Sequence, residues 1–401
     1  MTIAMFKKAL ATLGIVVAAI IIFSVVNDLL TYRIDRTAGV DFGKYHEYSG
    51  VVGIRTRYSD GSGTYQQIGR MCDSLGIHFA VITDRNTVQP MLDGLANRFG
   101  MSLIIPAVEI STDKEHGHFL VIGDSVPVMP HGRVTPDSTV DDASKKKGII
   151  ILGDISTQEK PVYSSTENFT GIEFYDFDKN WRNSLNFFRL NKIIAAYIIY
   201  GFQDEAINYL LEYPAREMEI FDSLNTRRKV VGIDNIDAHS NVKLGKNLYW
   251  HFPSYQSLLN LVHTDIVTRE PFNGLYHHDR ELVLNAIRDG HMFASFSGLE
   301  NARGFLFTAI ADTTEAIMGD SLKADKSACL HVLIPDSDNV LTEILRNGKI
   351  VGSFDNVSSI DLPVVLPGEY RVQAFQRRTM LPLFMKRPFP WILSNPIYIY
   401  R

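Results

Sequence analysis

The chain has 401 residues, 45% of them hydrophobic and 21% charged, proportions of a folded globular protein that exclude wholesale disorder and collagen-like or low-complexity architectures. Forty Lys and Arg against forty-five Asp and Glu leave a net charge of −5, so no bulk field exists for gripping nucleic acid or anionic lipid, and only a local basic patch could do that. Two cysteines, Cys72 and Cys329, stand in no CxxC pair, which excludes a disulfide framework and a thiolate zinc site.

The first element is Ala9 to Val26, eighteen residues without a charge, and about 18 such residues suffice for a membrane-spanning helix. Lys7 and Lys8 precede it and NDLLTYRID follows. A cleavable signal peptide is the alternative, but its apolar core runs about 7–15 residues and ends at a small-x-small site. The expectation is an uncleaved, single-pass anchor. Lys7, Lys8 and the amino terminus outweigh Arg33 and Arg36, which places the N-terminus in the cytoplasm and the bulk of the protein outside it.

From Tyr48 to His239 short apolar runs alternate with longer mixed ones, the pattern of strands and helices in a parallel α/β sheet or barrel. The predicted strands are Val51 to Ile54, His78 to Ile82, Leu103 to Glu109, His118 to Ile122, Gly148 to Leu152, Gly171 to Phe174 and Lys229 to Ile233. Several end in polar residues, and the C-terminal ends of parallel strands are where such folds build sites. Pro127 to Lys147 reads as a polar linker, its Lys145 to Lys147 run as a solvated loop. Ile193 to Phe202 is too short to span and reads as a buried helix.

After Arg303 the pattern shifts to short alternating strands: Gly304 to Ala311, Ala328 to Ile334, Thr342 to Arg346 and Tyr370 to Phe375. Asn347-Gly348 predicts a two-residue hairpin, because a type I′ turn needs positive φ at both positions, and Pro367-Gly368 marks another turn. The expected organisation is an anchor over 1–36, an α/β barrel over 37–300 and a small β-sandwich over 301–401.

Five strand-end stations read GIRTRYSDGSG, VITDRNT, AVEISTDKEHGHFLVIG, ILGDIS and IDNIDAHS. In order and spacing they resemble the polymerase and histidinol phosphatase (PHP) superfamily of metal-dependent phosphoesterases. The resemblance implies a PHP-like (β/α) barrel and a cluster of two or three divalent metals, Zn, Mn or Fe. Family members carry HxH then SDG, TDH, a Glu in a GxEIST-like run, GH, HP and DAH. Asp60, Glu109, His118, Asp237 and His239 match those ligand positions, and Asp84 matches the Asp of TDH. Gly53 and Arg55 stand in place of the two HxH histidines, Arg85 replaces the His of TDH and Asp154 the His of HP.

Guanidinium groups carry permanent positive charge. At about 4 Å and an effective dielectric near 20, each would repel a metal by several kcal/mol. Arg55 and Arg85 are therefore expected to replace the metals internally by pairing with Asp60, Glu109 and Asp237, a geometry the Arg fork suits. Three readings follow. The leading one is a catalytically degenerate, membrane-anchored PHP-like domain that binds a ligand or protein partner or serves as a structural module, with no metal. The second is a residual hydrolase holding one dication through Glu109, His118, Asp237 and His239, with Asp60 or Asp154 assisting. The third is an anionic small-ligand binder using Arg55 and Arg85.

Competing features are weak. Asp237 and His239 could be an ordinary polar loop, Glu109 with Ser111-Thr112 an ordinary capping segment, and His116 a loop residue. His277, His278 and Asp279 read as solvated surface, since adjacent side chains rarely converge on a metal. GxSxG and GxxxxGK[ST] motifs are absent, and so are nucleic-acid-binding modules.

Overall fold

The computed structural model describes residues 42–111, 117–123, 148–156, 167–177, 211–243, 249–250, 253–324, 328–335, 338–380 and 385–401, together with isolated positions between them. Most of the expected anchor lies outside the described residues. Those described between Lys8 and Ile22 are helical, with Ile15, Val16 and Ile22 exposed. Among the described residues no helix is long and apolar enough to cross a membrane. The 127–147 linker, apart from Lys145, and the run Ile193 to Phe202 also lie outside them.

The body is built from β1 (His46–Ile54), β2 (Phe79–Arg85), β3 (Asn97–Phe99), β4 (Ser102–Ser111), β5 (His118–Ile122), β6 (Ile149–Leu152), β7 (Gly171–Asp176) and β8 (Val231–Asn235). A two-stranded excursion, β9 (Val242–Lys243) with β10 (Tyr249–Trp250), precedes β11 (His263–Thr268) and β12 (Met292–Ser295). Helices α1 (Tyr65–Ser74), α2 (Gln89–Leu92), α3 (Ala215–Asn225), α4 (Tyr255–Leu259) and α5 (Tyr276–Asp289) occupy the connections. A capping box between Thr64 and Gln67 starts α1, and Tyr65, Ile68, Gly69 and Cys72 bury one face at helical spacing. Gly290, in the left-handed region, ends α5.

All seven strands expected between Tyr48 and Ile233 occur. Their order is β1-β2-β4-β5-β6-β7-β8, and the chain after β8 returns to β1: Ile236 N donates to Val52 O, Ala238 N to Gly53 O and Arg55 N to Ala238 O. The circuit therefore closes. β1 shares its opposite edge, its first half pairing with β11 before the 236–238 segment takes over. Burial on both faces explains why strands such as Ser102–Ser111 are apolar almost throughout.

One expectation needs correction. β5 runs antiparallel to both β4 and β6, so the sheet is not uniformly parallel. Only residues 112–117 separate β4 from β5, too few for the crossover of a dozen or more residues that parallel neighbours require. The reversal has a consequence for the site, because the first residue of β5 lies at the end of the barrel where its parallel neighbours finish.

The C-terminal strands are β13 (Leu306–Ala311), β14 (Thr314–Ile317), β15 (Ser321–Lys323), β16 (Cys329–Leu333), β17 (Val340–Arg346), β18 (Lys349–Asp355), β19 (Ser359–Pro363), β20 (Gly368–Met380), β21 (Met385–Ser394) and β22 (Ile397–Tyr400). Sheet β14-β13-β16-β19 shares one apolar core with β17, β20, β21 and β22, including Phe307, Leu330, Ile344, Val372 and Trp391. Asn347 and Gly348 have φ of 50° and 70° between paired Arg346 and Lys349, the two-residue hairpin the sequence predicts. The sandwich is also joined to the body: β21 pairs with β12 through Phe293–Ser394, Ala294–Leu393 and Ser295–Ile392.

Candidate functional site

Arg55 leaves the end of β1 and is buried, its side chain 2% exposed. Nη1 lies 2.8 Å from Asp60 Oδ2 and Nε 3.4 Å from Glu109 Oε2, and Nη2 forms a close ion pair with Asp237. Three of the expected ligand positions thus converge on one guanidinium. Arg85, last residue of β2, closes the outer side, with Nε 2.8 Å from Glu109 Oε1 and Nη1 3.5 Å from Asp60 Oδ2. Glu109 is bridged by both arginines.

Burial alone would raise the Glu109 carboxyl. His118, Arg55 and Arg85 outweigh it and hold the group below the ordinary carboxylate range. Asp60 behaves alike: partial burial opposes ionisation, while Arg55, Arg85 and His239 more than offset it. Both carboxylates are held ionised by fixed cations, which is how a cluster of three acids avoids mutual repulsion here.

Beside this cluster stands a second one. His118 opens the reversed strand β5, its Nδ1 3.2 Å from Asp154 Oδ2 and its Nε2 3.1 Å from both oxygens of Glu173. Burial would lower the imidazole pKa. The carboxylates of Glu173, Asp154 and Glu109 reverse that and raise it well above the usual value, and both ring nitrogens face carboxylate acceptors. Gly153 is needed for this approach, since a Cβ there would meet His118 Nε2 at 2.2 Å.

The remaining expected residues are near but differently employed. Asp84 ties down the loop after β1, accepting from Thr56 N, Thr56 Oγ1 and Ser59 Oγ, each at 2.7 Å. His239 Nδ1 sits 2.8 Å from the Asp237 carbonyl oxygen. Asn86, Asp154, Asp237 and Ser240 all have positive φ between 45° and 55°, a concentration of left-handed non-glycine residues at one barrel end.

Two participants escape the motif series: Glu173 and Asn235. Asn235 Nδ2 donates to Glu173 Oε1 at 2.9 Å, and its Oδ1 accepts from Asp237 N at 2.9 Å. Gly53 has φ +88°, and a Cβ there would lie 1.6 Å from Asn235 Oδ1. Asn235 therefore fills the room that any side chain at Gly53 would need. A signal for Glu173 existed in the sequence, a lone acid inside the apolar run Gly-Ile-Glu-Phe, since an acid so placed must find a buried partner.

The divalent metals that the resemblance implies do not fit this donor set. Asp60, Glu109 and Asp237 are ion-paired with guanidinium groups lying between them, where a dication would meet fixed positive charge. Both ring nitrogens of His118 are already engaged by the carboxylates of Asp154 and Glu173. Among the described residues no group of three or more His, Cys, Asp or Glu side chains is disposed to hold a metal ion. Nor do the arginines line an open anion pocket, since each faces carboxylates.

The His277–Asp279 run corrects another expectation. Asp279 is buried rather than solvated. It accepts from Asn273 N at 2.8 Å and Gly274 N at 3.0 Å and pairs with Arg98, fixing the entry to α5. His116 and Thr112 lie outside the described residues.

No family model matches the chain, and no curated protein matches it. Among solved structures it is similar to a two-domain protein containing a predicted PHP-like metal-dependent phosphoesterase from Bacteroides vulgatus, at 10% identity over 90% of this chain and 100% of that one, TM-score 0.41. A putative metal-dependent phosphoesterase from Bifidobacterium adolescentis shares 11% identity over 50% of this chain and 92% of its own, TM-score 0.29. PsfC from Pseudomonas syringae shares 10% over 58% and 87%, TM-score 0.35.

Proposed function

We propose that this chain is a membrane-anchored, catalytically silent PHP-like domain in which Arg55 and Arg85 take the place of the metal cluster, leaving the protein to act through binding a partner or as a structural module. The observation that carries this is the buried Arg55 guanidinium among Asp60, Glu109 and Asp237. Metal-dependent phosphoester hydrolysis needs a Lewis acid to polarise the phosphoryl oxygen and make hydroxide available near neutral pH. A guanidinium offers the charge but no coordination site and no acidified water. The four residues of a residual one-metal site are otherwise engaged: Glu109 and Asp237 on arginine, His118 between two acids, His239 on a backbone carbonyl.

The test is metal analysis of the purified full chain by mass spectrometry, with phosphoesterase assays on generic aryl and alkyl phosphate esters. The expected result is substoichiometric Zn, Mn and Fe and no turnover, before and after incubation with each metal. One tightly held metal per chain, lost with activity on chelation, would overturn the reading in favour of a residual hydrolase.

A further inference from the structure

At the other end of the barrel, where β7 and β8 begin and the C-terminal sandwich joins the body, lies a cavity of ≈ 500 Å³. Arg228, Lys229, Arg269 and Arg288 line it, against Asp289 and Asp320. Asp320 is consumed within the protein, paired with Arg269 Nη2 at 2.6 Å and His291 Nε2 at 3.0 Å and accepting from Ile317 N. Four Lys and Arg side chains against two Asp leave the lining with an excess of two positive charges.

Two of these cations are held by neutral groups. Arg228 stacks on the Phe169 ring, 4.1 Å from its centroid, and donates to the Phe169 and Lys229 carbonyls at 3.1 and 3.3 Å. Lys229 Nζ donates to Gly319 O at 3.1 Å and lies 4.9 Å from the Tyr398 ring centroid. Backbone carbonyls and aromatic faces orient these groups without neutralising them, so their ordering is complete before a ligand arrives, which is the condition for tight recognition.

We infer that this cavity is a binding site for a phosphate-bearing ligand. A phosphate monoester carries about −1.5 to −2 charges at pH 7 and accepts from several directions at once, which matches the residual charge and the spread of donors around the cavity. Two sources present that group, a soluble phosphate ester and a lipid headgroup. The second is within reach: β1 begins at His46, paired with Thr268 beside Arg269, so the chain enters the barrel at this end. Residues 27–45 separate it from the apolar run and span at most about 65 Å when extended.

Calorimetric titration of the full chain in neutral detergent at constant ionic strength tests this, with glycerol 3-phosphate, inorganic phosphate, dihexanoyl phosphatidic acid and dihexanoyl phosphatidylcholine as probes. Saturable binding of the free phosphates supports the site and identifies a soluble source. Binding of phosphatidic acid alone supports it with a lipid source. In either case Lys229→Gln and Arg288→Gln should each weaken the affinity about tenfold, the loss of one charge-assisted hydrogen bond. Among the described residues Arg288 bonds to Asn285 at the surface, so its variant reports binding without endangering the fold. No saturable binding of any probe, or affinities unchanged in both variants, would overturn the inference.

Discussion

Arg55 and Arg85 perform the same chemistry at different depths, and depth decides how much each contributes. Arg55 is enclosed, its side chain 2% exposed, whereas that of Arg85 is 34% exposed. Removing one partner of a buried pair leaves an uncompensated charge, so Arg55→Met should destabilise the native state by about 3–5 kcal/mol. Arg85→Met, screened by water, should cost ~1 kcal/mol or less. Urea midpoints of the two variants check the contrast, and equal midpoints would remove Arg55 from its central place. The pH dependence has two limbs of opposite sign. Asp60 and Glu109 are held below the ordinary carboxylate range, so their stabilisation is present above about pH 4 and is lost as the pH falls through their folded values. His118 is raised, so its contribution is complete below about pH 6.5 and is lost as the pH climbs through its higher folded value. His118→Gln should therefore cost most in mildly acidic solution and progressively less in alkali; a cost that grows with pH would contradict the raised imidazole pKa. The arginine pairing was legible because a permanent cation at a ligand position demands an anion. Glu173 shows only as a lone acid in an apolar run, and an uncharged Asn235 demands no counter-charge that would have marked it.

Among elements, strand existence was legible and strand direction was read wrongly. Alternation and apolar runs report burial, which both directions share. The direction of β5 depends on the length of its connection, and the six-residue gap before His118 held that information. The reversal is what brings His118 to the mouth. The β1–β8 contact carries a further constraint, since Gly53 faces Asn235 across it. Gly53→Ala should destabilise by at least about 1–2 kcal/mol from the left-handed backbone alone, with a clash against Asn235 Oδ1 added. In a double-mutant cycle with Asn235→Ala the steric part should vanish and leave the backbone part, so additive costs would show that the two positions do not meet. The same contact explains why reverting Gly53, Arg55 and Arg85 to His together is expected to yield an unstable protein rather than a metal site.

At the scale of the molecule, the uncharged run Ala9 to Val26 is expected to hold the chain to a bilayer. Membranes carrying the full chain should retain it through a high-salt wash and release it to detergent; release by salt alone would argue against the anchor. The boundary near residue 300 has a different physical status from a linker. Backbone bonds join β12 to β21, and Phe293 of β12 packs in the sandwich core. Asn395 accepts from Gly232 N and donates to the Gly232 and Met292 carbonyls, and Arg371 holds Asp222 of α3 through two bonds of 2.6 and 2.7 Å. Breaking this junction would expose an unpaired strand edge, a buried guanidinium and apolar side chains worth about 1.5–3 kcal/mol each. Neither half retains its full set of partners alone, so the described body and sandwich should unfold in one transition, with near-ultraviolet circular dichroism and tryptophan fluorescence coincident in urea. Trp391 is buried in the sandwich core and donates to Glu300 O, which makes its fluorescence a reporter on that half and on the junction. Two separated transitions, or a soluble cooperative fragment ending at residue 303, would show that the shared sheet is a contact between independent domains.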